Sequence, residues 1–221
     1  MITVTLDRPW LAAQLPRPMR AISWAPVGGG TTTTDRVLWR EVRNADLTPE
    51  FDAQGWFAGQ MAQRAPGAVG MMTSRDIGRW SEARAEVEGI RAHAVATLGL
   101  SNAEAVGSRL PWHPADYGTI NLLVALDCGL TEPAQLEAIS IAVQARTVAV
   151  MGAGLQLATG LATGTGTDCV VLACDPGPVP HAGLHTAVGE AVGAAARAAI
   201  AAGVADWLAW AEEKRRRKGQ G

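Results

Sequence analysis

The segment GTINLLVALDCGLTEPAQLEAI, from Gly118 to Ile139, joins the most buried-looking strand pattern of the chain to the start of a helix. Its first part, Gly118–Leu126, is almost continuously apolar over the length of a strand, which predicts a buried strand. Asn121 is the odd residue inside this strand. Because a buried amide needs hydrogen-bond partners, Asn121 should either satisfy a neighbouring loop or face a site.

The helix that follows this strand has a clear start signal. Thr131 supplies a capping hydroxyl, and Pro133 lies in the first helical turn, where its missing N–H costs nothing. We predict that the helix runs to about Met151. Its predicted apolar stripe consists of Leu136, Ile139, Val143 and Val150.

Further strands and helices are predicted on both sides of this strand and helix. The predicted further strands are Thr3–Leu6, Arg20–Trp24, Val37–Val42, Ala68–Thr73, Ser81–Glu88 and Cys169–Cys174. A bulge or a tight turn is expected at Gly89, where the apolar phase slips. Two further helices are predicted, from Thr48 to Arg64 and from Thr186 to about Lys214. The threonine run Thr31–Thr34, after three glycines, is predicted to be a flexible loop.

Strands and helices mix in this order without regular alternation. The pattern therefore favours an α/β or α+β layered fold, with one or more sheets packed against helices, over a Rossmann-like fold. No linker or repeat is visible, which predicts a single domain over residues 1–221. Residues 214–221 form a basic end that we predict to be a disordered tail.

Composition excludes several classes of function. A net charge of -2 over 221 residues gives no sign of a nucleic-acid partner. Three cysteines without a CxxC pair, and an N-terminus without a signal-peptide pattern, predict a cytoplasmic protein with reduced thiols. The alanine-rich segment Ala191–Trp210 carries two charges and is predicted to be a packed helix, not a membrane span. Of the eight tryptophans, most should be core, and one or two could line a pocket for a flat ligand.

The glycine-threonine repeat Gly164–Asp168 stands just before the predicted strand Cys169–Cys174. It could be a phosphate cradle, a nucleophile site or a loop that starts a strand. It lacks the spacing and the lysine of a P-loop, and a strand follows it where a dinucleotide-binding motif needs a helix. The local sequence therefore favours the plain loop and leaves the other two open.

His181 and His185 are four residues apart, which on a helix would suit a metal ion. Pro178, Pro180 and Gly183 disfavour a regular helix there, so we expect no metal site. His185 could instead act as a general base near a helix start, or simply help to begin the helix.

Five segments in fixed order resemble the adenosylcobinamide amidohydrolase family. They are SWAPVGGG (Ser23–Gly30), GTINLLV (Gly118–Val124), QARTVAV (Gln144–Val150), ATGTGTDCVVLAC (Ala162–Cys174) and HAGLHTAVGEAVG (His181–Gly193). The resemblance covers roughly Arg20 to Ala202. The chain departs from the family pattern after Ser23, where it has Trp24-Ala25-Pro26-Val27-Gly28 in place of a second Ser and Asn-Gly-Gly.

A fainter similarity links the second half to the D-aminopeptidase and ornithine acetyltransferase group, which implies an αββα sandwich. Members of that group cut themselves to free a Ser or Thr nucleophile. A cut at Gly30-Thr31 is less simple than a flexible turn there.

The family resemblance implies hydrolysis of the amide that joins the corrinoid propionate to its aminopropanol arm. The products would be adenosylcobyric acid and aminopropanol or its phosphate, in cobamide salvage and remodelling. The alternative is a corrinoid-binding or trafficking protein without chemistry. No cofactor is expected, because the cobalt belongs to the corrinoid. No nucleic-acid or membrane partner is expected, and a homo-oligomer is compatible with the sequence.

The same resemblance supplies the candidate catalytic residues. Asp168 is the candidate base for water, or the group that orients His185. Thr165 or Thr167 is the candidate nucleophile, and Glu190 is either the candidate acid or only a favourable charge near the helix start. The candidate substrate-binding residues, whose glycine N–H groups could hold the oxyanion, are Gly28, Gly29, Asn102, Asn121, Thr163, Gly164, Thr165, Gly166, His181 and Thr186.

Overall fold

In the described part of the chain, one large mixed sheet packs against three α-helices, and this confirms the predicted fold class. The computed structural model describes residues 1–48, 50–111 and 118–218. Pro49, Trp112 and residues 219–221, which entered the predictions, lie outside the described residues. The elements are β1 (Thr3–Asp7), β2 (Trp10–Ser23), β3 (Gly30–Glu41), α1 (Ala53–Arg64), β4 (Val69–Thr73), β5 (Ser81–Val87), β6 (Ile90–Leu98), β7 (Ala103–Glu104), β8 (Ile120–Leu130), α2 (Glu132–Met151), β9 (Gln156–Leu157), β10 (Gly160–Leu161), β11 (Gly164–Thr165), β12 (Cys169–Pro176) and α3 (Ala187–Lys218).

The strands of the main sheet follow the order β4-β3-β2-β12-β8-β6-β5, and β1 pairs with β2. The last strand of the chain, β12, is therefore central: it is antiparallel to β2 and parallel to β8. Two short pairs, β9 with β10 and β7 with β11, lie outside this sheet.

Strand β2 bends where its ladder with β3 is interrupted. Gln14 pairs with Arg36, but the next pair joins Met19 to Thr34, so four residues of β2 face one residue of β3. Two of the four are prolines, which have no N–H for the ladder. The two halves of β2 consequently belong to different parts of the sheet.

The bend folds the sheet into two stacked layers. A buried cluster between them joins Trp39 of β3 to Leu123 of β8 and contains no residue of the three helices. Hydrogen bonds also join strands that are far apart in the sheet order: Asn121 Nδ2 donates to the carbonyl of Met72 at 2.7 Å. Helices α2 and α3 cover the outer face of one layer, and α1 covers the outer face of the other. This is the αββα order expected from the fainter similarity.

Alanine forms most of the buried surface of α2. Ala138 and Ala142 are completely buried, whereas Leu136 is 57% exposed, so the predicted apolar stripe was wrong at Leu136. Small side chains let α2 lie close to α3 and β12, and volume rather than hydrophobicity decides which face is buried. One described helix, α3 over Ala187–Arg217, is long and apolar enough to cross a membrane, but more than half of its most apolar window is buried in the fold.

Three element predictions need correction. Thr31–Thr34 are not a loop but the start of β3, since β-branched threonine suits a strand that has a partner in β2. Helix α1 begins at Ala53, with Asp52 as its cap, instead of at Thr48. Helix α3 extends to Lys218, so 214–218 are not a disordered tail. Arg216 and Arg217 pair with glutamates one turn earlier and support this extension.

Gly189→Ala should lower the free energy of unfolding by about 1–3 kcal/mol. A Cβ at Gly189 would collide with the carbonyls of Ala182 and Gly183, and backbone cannot move aside cheaply. Gly193→Ala is the matched control in the same helix, because its Cβ would meet only Ile141 Cγ2 at an ordinary 3.5 Å. The control should gain about 0.4–1 kcal/mol. Urea unfolding of both variants checks this, and equal effects would contradict it.

Candidate active site

The loop Gly164–Asp168 is built around one carboxylate. Asp168 accepts hydrogen bonds from the N–H of Ile120 at 3.1 Å, from the N–H of Thr165 at 3.0 Å and from the Thr165 hydroxyl. Arg146 of α2 adds an ion pair to Asp168 Oδ2. The Asp168 side chain is only 8% exposed. Four donors therefore occupy about all the lone-pair positions that a carboxylate offers.

Arg146 was not among the residues predicted from the sequence. Burial lowers the pKa of its guanidinium below the ordinary value. Arg146 is nevertheless charged at neutral pH, because arginine keeps its proton in proteins. The pair thus fastens helix α2 to the start of β12.

The two glycines of the repeat have different environments. A Cβ at Gly164 would lie against Arg146 Nη1 and 2.5 Å from Asp168 Oδ2, so only glycine leaves room for the ion pair. A Cβ at Gly166 would meet nothing within 4 Å. Gly164 is therefore required by packing, whereas Gly166 is not.

A cleft of about 440 Å³ opens beside this loop, at the ends of β8 and β12 where both strands begin. The later half of the chain lines it with Gly118, Thr119, Asn121, Gly166, Thr167, Asp168 and Cys169. The earlier half lines it with Trp24, Pro26, Val42, Met72, Thr73 and Ser74. The cleft is thus an opening between the two layers of the sheet, and it brings together four of the predicted site residues, Asn121, Gly166, Thr167 and Asp168.

Two threonines hold the polar side of the cleft. The Thr167 hydroxyl donates to the carbonyl of Gly118 at 2.9 Å, and the Thr119 hydroxyl donates to the carbonyl of Thr167 at 2.8 Å. Thr167 and Gly166 are exposed to solvent, so a ligand can reach them. Burial raises the pKa of the Cys169 thiol to about 12, so this thiol stays protonated and is no nucleophile at neutral pH.

The two asparagines occupy different places. Asn121 lines the cleft but is only 1% exposed, and its side-chain amide donates to the carbonyl of Met72 on β4, in the other layer. Asn102 Oδ1 is buried and, among the described residues, accepts no hydrogen bond. It lies beside the cleft, 2.7 Å from where a Cβ of Gly118 would be. Thr163 stabilises the residues just before the loop Gly164–Asp168, since its hydroxyl accepts the N–H of Val106 at 2.8 Å.

Gly28 and Gly29 lie in the turn after Trp24 rather than on the cleft surface. The turn is tight: Gly28 has a φ of +69°, and a Cβ there would stand 3.0 Å from the carbonyl of Ala68. Their role in substrate binding stays a prediction.

His181, His185, Thr186 and Glu190 are at the other end of β12. The eight residues of β12 separate Asp168 from this loop, which corresponds to about 23 Å of strand. Asp168 therefore does not orient His185, and this part of the sequence prediction is wrong. Thr186 caps α3 as predicted, because its hydroxyl accepts the N–H of Gly189 at 3.0 Å.

Further clefts adjoin the central one. A cleft of about 500 Å³ shares Ser74 and Gly118 with it and contains Trp207 and Trp210. Another, of about 370 Å³, shares Val42 with it and contains Trp56. One end of the molecule therefore offers a continuous concave surface with several aromatic rings, which suits a large ligand.

A cleft of about 530 Å³ lies at the opposite end of β8, next to Asp127. It contains none of the predicted site residues. Its buried ionisable group is His93, whose Nδ1 accepts the N–H of Ile2 at 3.2 Å while Nε2 lies 3.0 Å from Glu82. Both ring nitrogens thus have partners, one at Ile2 just before β1 and one at Glu82 on β5. In the described part of the chain, no three His, Cys, Asp or Glu side chains form a group that could hold a metal ion.

Stability should fall as the pH drops below about 6.5, the ordinary pKa of histidine. Burial lowers the pKa of His93 in the folded protein, against a smaller opposing effect of Glu82. The unfolded chain therefore takes up its proton first, and acid favours unfolding until the folded pKa is passed. Melting temperatures at pH 7.5 and 5.5 measure this, and the difference should shrink in His93→Gln. An unchanged difference in that variant would contradict the assignment.

Comparison with known proteins confirms the family resemblance. A family model described as adenosylcobinamide amidohydrolase matches residues 2–212. A protein of Halobacterium salinarum with the same name is 38% identical over 102 residues, which are 42% of this chain and 42% of that protein. The crystal structure of the PH0078 protein from Pyrococcus horikoshii OT3 aligns with 91% of this chain and 82% of its own, at 12% identity and a TM-score of 0.39. Since the family model matches nearly the whole chain, the chain belongs to the adenosylcobinamide amidohydrolase family.

Proposed function

We propose that this protein hydrolyses the amide between the corrinoid propionate and the aminopropanol arm of adenosylcobinamide. The observation that carries the proposal is the position of the loop Gly164–Asp168, the most family-like segment, on the wall of a solvent-open cleft. Neighbouring clefts extend this surface and give room for a macrocyclic substrate. The products would be adenosylcobyric acid and aminopropanol, or its phosphate.

The reaction needs a nucleophile, oxyanion donors and a proton for the leaving amine. In the described part of the chain, the backbone N–H groups of Gly166 and Thr167 donate to no side chain or loop carbonyl, so they are available for an oxyanion. Water would attack the amide carbon directly, and its proton would pass to the nitrogen as the C–N bond breaks, which leaves the carboxylic acid on the corrinoid. If the Thr167 hydroxyl attacks instead, after it leaves the Gly118 carbonyl, its proton passes to the leaving amine and an ester forms on Thr167, which water then hydrolyses to the acid.

Asp168 fits a positioning role better than that of a general base. All its donors come from the protein, and its side chain is almost closed to solvent. Replacing one of these donors by water would be necessary before Asp168 could take a proton. His185 and Glu190 are at the far end of β12 from the cleft, so we propose no part for them in this step, and their roles stay predictions.

Incubation with adenosylcobinamide and mass spectrometry of the products test the proposal. Adenosylcobyric acid and aminopropanol should appear in equal amounts. His185→Ala should keep turnover within about threefold of the wild type, because His185 is at the far end of β12. Unchanged substrate would refute hydrolysis, and a hundredfold loss in His185→Ala would move the chemistry to the other end of the sheet.

A corrinoid-binding protein without chemistry is the second candidate. It is favoured by the cleft itself, where the described lining residues include no carboxylate or imidazole that is free to exchange a proton. A shifted visible spectrum of the corrinoid with no change in its mass would decide for the binding protein.

The wider role follows from the products. We propose that the enzyme acts in the cytoplasm, in cobamide salvage and remodelling, because the freed carboxyl group can be joined to a new amino alcohol. We propose that it needs no cofactor, since the cobalt is part of the substrate.

A further inference from the structure

We propose that Trp24 is the platform on which the flat corrinoid ring lies while its amide arm reaches the loop Gly164–Asp168. This inference rests on the proposed function and adds the residue that orients the substrate. Trp24 belongs to the stretch where the sequence departs from the family pattern, so no family role was assigned to it.

The indole of Trp24 is exposed yet fixed in place. It is 49% exposed, which is more than any other tryptophan in the described part of the chain, whereas Trp39 is completely buried. Its Nε1–H donates to the carbonyl of Asp168 at 2.6 Å. The hydrogen bond holds the ring against the loop Gly164–Asp168 without burying it. Because the partly exposed ring is already fixed, little conformational entropy is lost when a ligand stacks on it.

The cleft has two chemically different sides. Trp24, Pro26 and Val42 supply apolar surface from the earlier half of the chain. Gly166 and Thr167 supply exposed polar groups from the later half. A ligand with a broad apolar ring and a polar amide at its edge matches both sides at once. The ring therefore belongs on Trp24 and the amide on the loop.

The position of Trp24 distinguishes it from other exposed apolar side chains. Leu184 is 72% exposed, but it lies in the loop at the far end of β12 and lines none of the clefts described above. Scattered exposed residues of this kind are normal in soluble proteins. Trp24 differs because it lies in a concave site, is hydrogen-bonded to that site and has apolar neighbours there.

Three variants test the platform. Trp24→Ala should weaken the binding of cobinamide, measured by calorimetry, by roughly tenfold, as expected for the loss of one stacked aromatic face. It should raise KM for adenosylcobinamide by a similar factor. Trp24→Phe keeps an aromatic face but loses the N–H, so its affinity should stay within about threefold of the wild type. Leu184→Ala is the matched control and should bind as the wild type does.

Each outcome decides at least one of the two proposals. Wild-type affinity in Trp24→Ala, or equal losses in Trp24→Ala and Trp24→Phe, would overturn the platform even if hydrolysis occurs. A wild-type protein that binds cobinamide through Trp24 but forms no cobyric acid would overturn hydrolysis and leave the platform standing. A wild-type protein that neither binds nor cleaves a corrinoid would overturn both.

Discussion

Asp168→Ala should lower the free energy of unfolding by about 3–5 kcal/mol and abolish measurable turnover. The substitution leaves the buried guanidinium of Arg146 without its partner, and it removes the acceptor of the Ile120 and Thr165 N–H groups. The loop Gly164–Asp168 then loses the bonds that define its shape. Urea unfolding and product formation measure the two effects.

Arg146→Met separates positioning by Asp168 from proton transfer by Asp168. If Asp168 only holds the loop, Arg146→Met should also reduce turnover, and the double variant Asp168→Ala, Arg146→Met should regain part of the lost stability. If Asp168 is the base, the acidic limb of the pH–rate profile should vanish in Asp168→Asn and persist in Arg146→Met. A stable, fully active Asp168→Ala would contradict both roles.

Gly164→Ala should destabilise the protein by about 1–3 kcal/mol and reduce turnover with it. The new methyl group would occupy the space of the Arg146–Asp168 pair, which cannot leave because both side chains are nearly buried. Neither glycine of the repeat has a positive φ, so the effect comes from contact and not from backbone strain.

Gly166→Ala is the control two residues away in the same repeat. Its stability should stay within about 0.5 kcal/mol of the wild type, because the added methyl group meets nothing within 4 Å. Thermal unfolding of both variants under one condition makes the comparison. Equal destabilisation would show that the repeat is sensitive as a whole, and would remove the packing explanation for Gly164.

The sequence correctly predicted those elements that depend on residues close to one another in the chain. The apolar run after Gly118 became β8, and the Thr131 hydroxyl accepts the N–H of Ala134 as a helix cap. The phase slip at Gly89 is a two-residue hairpin turn, in which Glu88 and Gly89 both have positive φ. Each of these features depends on residues within a few positions of one another.

The bend of β2 and the partners of Asp168 have causes that are distant in sequence. Two prolines in β2 are visible in the sequence, but only pairing with β3 and β12 shows that they divide one strand between two layers. Arg146 lies on the same face of α2 as the buried residues Ala142, Ala149 and Val150, which are three or four positions away. A charge on an apolar helix face is unusual, and this is a signal that could have found Arg146. Its partner is 22 residues away and is reached only in the folded chain.

The prediction that Asp168 orients His185 was wrong for a physical reason. The segments around Asp168 and His185 are close in sequence, and an extended strand lies between them. A strand carries its two ends apart, so neighbours in the sequence occupy opposite edges of the sheet. Asn121 lies near Thr167 and Asp168 because β8 and β12 are parallel and start together, which the sequence alone did not predict.

The central position of β12 sets the order in which the chain can fold. Before Cys169 leaves the ribosome, β2 and β8 have no partner between them, and each exposes an open edge. The sheet then closes through contacts between residues about 150 positions apart, such as Ser23 and Val171. We expect slow folding that is completed after synthesis, with the unpaired edges prone to aggregation until the last strand is inserted.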